Sequence, residues 1–376
     1  MRVILMHWTL PPTVGGVETH LVDLAAGLAE AGASVTLISG EERPDESLFP
    51  SNVEVLHEPA LSQAAARDVT LRSVEALSMQ RRLVSLEPDV VHAHNLFPLA
   101  GRDVAIALEA LSRRTGAALI HTSHSEWEPK PGTLRASAWN SLLSVSIFLS
   151  QRLYKYMHWV TTVTRPPVDS ARFHTESNIL DGGQIRLLHP SRLIEEKGLR
   201  LSINLLGELV REGVDASLTL TDPPSTFDLS GHNHRLRAEL QLLVAGRGLA
   251  DRIKFVSPSL REMPHLYDQS DIVLYPSLFQ EPYGLVPLEA MSSRRPVVAS
   301  AVGGMVETIR HGETGLLVRS GDSLSLLNAV QRLLDDHDFA RRIGETGRKH
   351  VQDNYGLMSF CECLMNLYEQ GLGRRD

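Results

Sequence analysis

The sequence predicts an α/β protein made of two parallel-sheet domains, and three observations carry that prediction. At 376 residues the chain is longer than a single hydrophobic core usually serves, so two domains are expected. Its first forty residues read strand, helix, strand: RVILMH, a run of helical period, then SVTLIS. A second such unit opens near residue 184, with QIRLLH followed by the amphipathic stretch Leu199–Val210. Strands that alternate with helices build parallel sheets, because each crossover helix returns the chain to lay the next strand in the same direction.

Composition narrows the class. Hydrophobic residues make up 43% and charged residues 22%, as in ordinary soluble globular proteins. The net charge of −8 offers no basic field, so neither nucleic acid nor an anionic surface is an expected partner. The two cysteines, Cys361 and Cys363, are too few for a disulfide framework or a zinc site and read as inert thiols in a reducing compartment. MRVILMHW lacks the parts of a signal peptide, and no apolar run reaches the roughly 18 residues of a membrane span. A cytoplasmic chain is the expectation.

In order, the Arg2–His7 strand leads through WTLPPTVGG into a helix marked by Val17, Leu21, Leu24 and Leu28 and closed at Gly32. Gly15 and Gly16 stand at the strand-to-helix turn, where backbone can approach a phosphate, although a simple tight turn reads the same way. They are not Gly-x-Gly-x-x-Gly, which argues against a dehydrogenase. Residues 41–70 are polar and show no clear element. A helix over Leu71–Leu86 precedes the strand Asp89–Asn95, and a further helix precedes Ala117–Trp127, a strand that ends near His121 in a histidine-bearing loop. His92, His94, His121 and His124 raise the question of a metal. His92 and His94, however, alternate with apolar residues, no cysteine or glutamate has ligand spacing, and no metal is expected. One of these histidines at a strand's carboxyl end would instead face the cleft of an open sheet. Ser141–Trp159 is apolar and lightly basic. It reads as a connecting helix, with peripheral membrane contact as the less favoured alternative.

The second half opens near Gly183. Arg192 and Lys197, five apart after a strand, can both reach one diphosphate and offset charge that grows as a leaving group departs. A solvated turn is the alternative, since Glu195 and Glu196 lie between them. Then follow SLTLT, a helix over His234–Gly246, RIKFVS and IVLY. Glu281 and Glu289 flank the bend into a helix that must start near Gly284 or Leu285, because Pro287 fits only a first turn. That helix start is an anion site, and carboxylates beside it suit a ligand rich in hydroxyls. Two solvated surface charges would show the same spacing. Leu327, Val330 and Leu334 mark a late helix; Leu357, Phe360, Leu364 and Leu367 mark the last.

EPYGLVPLE, with PVVAS, GGMVET and GETGLLV after it, resembles the Glu-x7-Glu signature of retaining glycosyltransferases of family four, which have the GT-B fold. The resemblance implies two Rossmann-like domains facing each other across a cleft. It divides the chain into an acceptor-side domain (1–182), a donor-binding domain (183–351) and a final helix (352–376) that returns to the first. It implies that Glu281 faces the donor sugar and Glu289 the ribose, and that amides around Tyr283, Gly284 and Leu285 meet sugar and diphosphate. SRLIEEKG resembles the family's phosphate site, which assigns Arg192 and Lys197 to the diphosphate; Ser191 replaces a usual glycine. GGVETH places Gly16 on donor phosphate. HTSHSEW resembles members in which a histidine faces the donor sugar; His124 fits that role best, with His121 the alternative. PDVVHAHN is similar as well. The short Arg165–Gln184 segment and TDPPSTFD depart from the family pattern. A nucleoside-diphosphate sugar is then the co-substrate, with no cofactor and no metal at the diphosphate. Phosphorylase, epimerase or a binding protein without turnover are the alternatives; a hydrolase has no use for a diphosphate site.

Overall fold

The computed structural model describes residues 1–62, 65, 68–124, 139–143, 160–173, 179–222 and 232–373. The chain forms two compact units. Unit 1 comprises Met1–Pro12, Gly16–Pro167 and Leu357–Asp376, and unit 2 comprises Thr13–Gly15 and Val168–Gly356.

Unit 1 carries strands β1 (Arg2–His7), β2 (Ser34–Ser39), β3 (Val53–His57), β4 (Val90–His94), β5 (Ala118–Ser123), β6 (Trp139–Leu143) and β7 (Val160–Val163). They pair in the order β3-β2-β1-β4-β5-β6-β7, every pair parallel. Its helices are α1 (Gly16–Glu30), α2 (Val69–Ser85) and α3 (Phe97–Thr115), and the last helix, Leu357–Gly373, also belongs to it. Leu21, Leu24 and Leu28 of α1 are fully buried, as their helical spacing requires. Close approach fastens α1 to the last helix: a Cβ on Gly27 would lie 2.6 Å from Cys361 Sγ.

Three sequence expectations change in this unit. The polar stretch 41–70 holds β3, whose edge position leaves every residue but Val53 half-buried or exposed and hides the apolar pattern. The strand expected to end near His121 runs on to Ser123, paired throughout with β4 or β6. Residues 141–143, placed at the start of a helix, instead continue the sheet in β6, because their backbone pairs with β5 at His121↔Ser141. The rest of that stretch, and with it the membrane alternative, lies outside the described residues. No helix among those described is long and apolar enough to cross a membrane. Cys363 is exposed, so only Cys361 is a buried thiol.

Unit 2 carries β8 (Ile185–His189), β9 (Ala216–Thr221), β10 (Ile253–Val256), β11 (Ile272–Tyr275), β12 (Val297–Ser300) and β13 (Leu316–Val318). They form a parallel sheet in the order β10-β9-β8-β11-β12-β13. Its helices are α4 (Leu199–Arg211), α5 (His232–Gly246), α6 (Met263–Asp268), α7 (Leu285–Ser292), α8 (Met305–Thr308), α9 (Ser323–Asp335) and α10 (His337–Asn354); the last helix of the chain is then α11. One apolar layer gathers Ile203, Leu206, Leu209 and Leu240 with Leu187 of β8 and Leu218 of β9. The other packs Leu288, Met291 and Met305 with Val273 of β11 and Val297 of β12. Unit 2 takes up the chain at Val168 rather than Gly183. Val168 donates its N–H to the Tyr355 carbonyl, and the Phe173 ring meets Tyr267 edge-on at 5.5 Å.

Candidate active site

In unit 2 the site grows from the carboxyl ends of β8 and β11, where open α/β sheets place ligands. Past β8, the turn that holds Lys197 closes on Gly198. Its φ of +73° and the Pro276 carbonyl, which a Cβ placed there would overlap, admit no side chain. Leu278 N–H donates to the Glu196 carbonyl at 2.7 Å and so ties this turn to the loop after β11. Lys197 is thereby buried, at 8% exposure, with its ammonium aimed inward. Nζ donates to Glu281 Oε1 at 2.6 Å and to the Tyr275 hydroxyl at 2.7 Å. Burial lowers the Lys197 pKa; Glu281 opposes that shift, and the nearby Arg192 guanidinium adds to it. Arg192 itself is exposed.

Glu281 is 4% exposed and Glu289 8%, so neither is the solvated surface charge their spacing alone allowed. The helix between them, α7, starts at Leu285 with Pro287 in its first turn. Its cap residue, Gly284, has φ +88° and offers no side-chain hydrogen bond. Gly284 thus supplies no side-chain acceptor to the first-turn N–H groups, which leaves a positive helix end at Tyr283–Leu285. The loop is held from behind: Gly304 N–H donates to the Glu281 carbonyl at 2.9 Å and Gly303 N–H to Gln280 Oε1 at 2.7 Å. A Cβ on Gly303 would overlap the Glu281 carbonyl oxygen, and one on Gly304 the Tyr283 carbonyl, which explains the glycine pair of GGMVET. Glu289 lies one turn inside α7. The Tyr267 hydroxyl donates to its Oε2 at 2.6 Å, while burial, partly offset by that bond, raises its pKa.

In unit 1, His124 is the first residue beyond β5. Its backbone N–H donates to Asn95 Oδ1 at 2.7 Å, and Asn95 stands at φ +44°, a left-handed conformation asparagine tolerates. A ring nitrogen of His124 (Nε2) lies 2.9 Å from His94 Nδ1, with the two rings nearly parallel. The His20 ring, from α1, lies 5.2 Å from His124 and 5.7 Å from His94 between centroids. Burial holds His94 and His124 well below the usual histidine pKa and His20 at about 4; neighbouring imidazoles add to the shift at His94 and His124. His121 is buried within β5, and burial takes its pKa to about 3. His92 is structural: Nδ1 meets the Tyr368 hydroxyl at 2.7 Å and Nε2 meets Thr122 Oγ1 at 2.6 Å, joining α11 to the sheet. Gly16 is the exposed first residue of α1, and Gly15 falls in unit 2. Within the α1 first turn, buried Glu18 accepts from Thr9 Oγ1 at 2.5 Å. Burial raises its pKa, but hydrogen bonds from His7 and Thr9 outweigh that and keep it low.

The structure thus joins Lys197 to Glu281 directly, holds Glu289 through Tyr267, and sets Tyr283, Gly284 and Leu285 at one helix start. Sequence reasoning missed Tyr267, Tyr275, Asn95 and His20. Only Asn95, next to the strand histidines in DVVHAHN, carried a local signal.

Comparison with known proteins agrees with this architecture. Residues 14–173 match the family described as Glycosyltransferase Family 4, and residues 171–350 match Glycosyl transferases group 1. Glycogen synthase of Mycobacterium tuberculosis is 26% identical over 98% of this chain and 94% of its own length. Among solved structures, sucrose-phosphate synthase of Thermosynechococcus elongatus superposes with a TM-score of 0.78 at 20% identity, covering 98% of both chains. HepE of Anabaena, in complex with UDP and glucose, gives 0.75 at 18% identity over 98% of this chain and 100% of that one. With two family models spanning residues 14–350 between them and the GT-B architecture in both units, the chain belongs to the group 1, family 4 glycosyltransferases and is a glycosyltransferase enzyme.

Proposed function

We propose that this enzyme is a retaining transferase that moves a sugar from a nucleoside-diphosphate donor to a hydroxyl or amine of an acceptor. The acceptor is a small molecule, a glycan or a lipid-linked glycan. The observation that carries this reading is the buried Lys197–Glu281 pair beside the uncapped start of α7. A cation, an exposed arginine and a positive helix end supply what a diphosphate needs, without a metal. The UDP in the HepE structure supports such a donor.

In this reading Lys197 and Arg192 take the diphosphate, with the α7 amides at Tyr283, Gly284 and Leu285. Glu289 keeps one oxygen on Tyr267 and offers the other to the ribose hydroxyls. Glu281 accepts from hydroxyls of the donor sugar. As the anomeric C–O bond breaks, negative charge grows on the leaving phosphate, where fixed cations stabilise it more than in the ground state. The acceptor oxygen attacks from the face the phosphate leaves and gives its proton to a phosphate oxygen, so configuration is kept. His124, held neutral by burial, is the proposed catalytic histidine of unit 1, with His121 as the alternative.

The test is product stereochemistry. A panel of nucleotide sugars with candidate acceptors is followed by proton NMR. An α-linked donor should yield an α-linked product together with free nucleoside diphosphate. A β-linked product would overturn the retaining mechanism.

A further inference from the structure

We propose that His20, His94 and His124 form a binding site for a late first-row divalent metal ion, Zn²⁺ first among them. The site is distinct from the diphosphate site of unit 2. One ring nitrogen from each of the three residues lies within 4.8 Å of the other two. They come from α1, the end of β4 and the residue after β5, so the cluster exists only in the folded unit. His20 is 2% exposed and His94 fully buried.

Two ring nitrogens lack a partner among the described residues: His20 Nδ1 and His94 Nε2, each out of contact with solvent. A buried polar atom left without a hydrogen bond is costly, and a metal ion satisfies such an atom. Imidazole binds metal in its neutral form, the form that dominates above the usual histidine pKa of about 6.5. Nitrogen donors alone favour Zn²⁺, Co²⁺, Ni²⁺ or Cu²⁺ over Mg²⁺ or Ca²⁺, which take oxygen. At a Zn–N distance of about 2.0–2.1 Å, a tetrahedral ion sets its ligand nitrogens roughly 3.4 Å apart, so the rings need to close by about 1.4 Å at most. Ligation needs only that each neutral ring carry its hydrogen on the nitrogen away from the metal, so no net proton need leave. Three protein nitrogens leave a fourth position open to water. Occupancy would also engage the ring of His124, a consequence for catalysis that rests on the transferase reading; the binding itself does not.

The experiment measures binding rather than turnover. Zn²⁺ is titrated calorimetrically into the wild-type chain and into the His20→Gln, His94→Gln and His311→Gln variants, the last an exposed histidine far along the sequence. Co²⁺ absorption of the wild-type chain is recorded in parallel. We expect one tight Zn²⁺ per chain, kept in His311→Gln and weakened more than about 100-fold in the other two, since loss of a direct ligand exceeds the 10–100-fold cost of losing a ligand's supporting partner. Co²⁺ should give the intense visible bands of a four-coordinate ion. Equal Zn²⁺ affinity in wild type, His20→Gln and His94→Gln would overturn the site. If either variant fails to fold, the wild-type Co²⁺ spectrum decides alone, and a weak six-coordinate spectrum refutes the proposal.

Discussion

Lys197 and Glu281, 84 residues apart, meet in a buried ion pair of 2.6 Å, with Tyr275 as a second acceptor for the lysine. Removing one member leaves the other charged and buried, which typically costs about 3–5 kcal/mol. Lys197→Met should therefore lower stability by roughly that amount, and Lys197→Met with Glu281→Gln should recover most of it. Thermal unfolding of the two single variants and the double variant checks the coupling. Arg192 is exposed, so Arg192→Ala should unfold like wild type and yet lose turnover by roughly 100-fold or more, as for other lost transition-state donors.

Burial raises the Glu289 pKa, so its folded value lies above its unfolded one. Relative to a neutral side chain, such a carboxyl favours the fold below the unfolded pKa and loses that contribution as pH rises through the folded pKa. Glu289→Gln should therefore raise Tm at pH 7.5, and the gain should shrink toward zero as the pH falls into the carboxylate range. Nucleotide affinity should fall in the same variant, which marks a site where stability is traded for binding. A pH series of unfolding curves measures the first effect.

Gly303 has φ +49° and packs its α-carbon against the Glu281 carbonyl. Gly303→Ala should destabilise by more than about 2 kcal/mol, from the left-handed backbone and the overlap together. It should also displace Glu281. Denaturant unfolding with a turnover assay reads both effects.

Burial pushes the Cys361 thiol up to about 12, with Asp23, Glu30 and Glu362 adding to it, whereas Cys363 is exposed. A thiol reagent at pH 8 should modify one cysteine per folded chain, and both after denaturation. Mass spectrometry should place the single label on Cys363.

Much of the unit 2 site was legible because its constraints are local. Pro287 fixes the start of α7, and that start fixes how Glu281 and Glu289 flank it. What joins them to the fold was not legible. Tyr267 reaches Glu289 from 22 residues upstream, and Lys197 reaches Glu281 from the end of a different strand. Such partners follow from sheet order, which one chain's periodicity does not state. β3 escaped because an edge strand shows water most of its side chains. His20 escaped because it sits inside an ordinary amphipathic helix pattern, and only the packing of α1 on the sheet brings it to His94 and His124.

Unit 2 is proposed to hold a nucleoside diphosphate through cations and a helix start, with Glu289 on the ribose and Glu281 reserved for the sugar. Calorimetric titration of UDP, GDP, ADP and dTDP into wild type, Glu281→Gln and Glu289→Gln, all in EDTA, tests it most directly. At least one of these nucleotides should bind the wild-type chain without metal. Glu281→Gln, which frees Lys197, should bind that nucleotide as tightly or more so, and Glu289→Gln at least about tenfold more weakly, the equivalent of a lost charge-assisted hydrogen bond. Folded wild-type enzyme that binds none of the four without a divalent cation, or equal losses in the two variants, would rule out this mode of nucleotide binding.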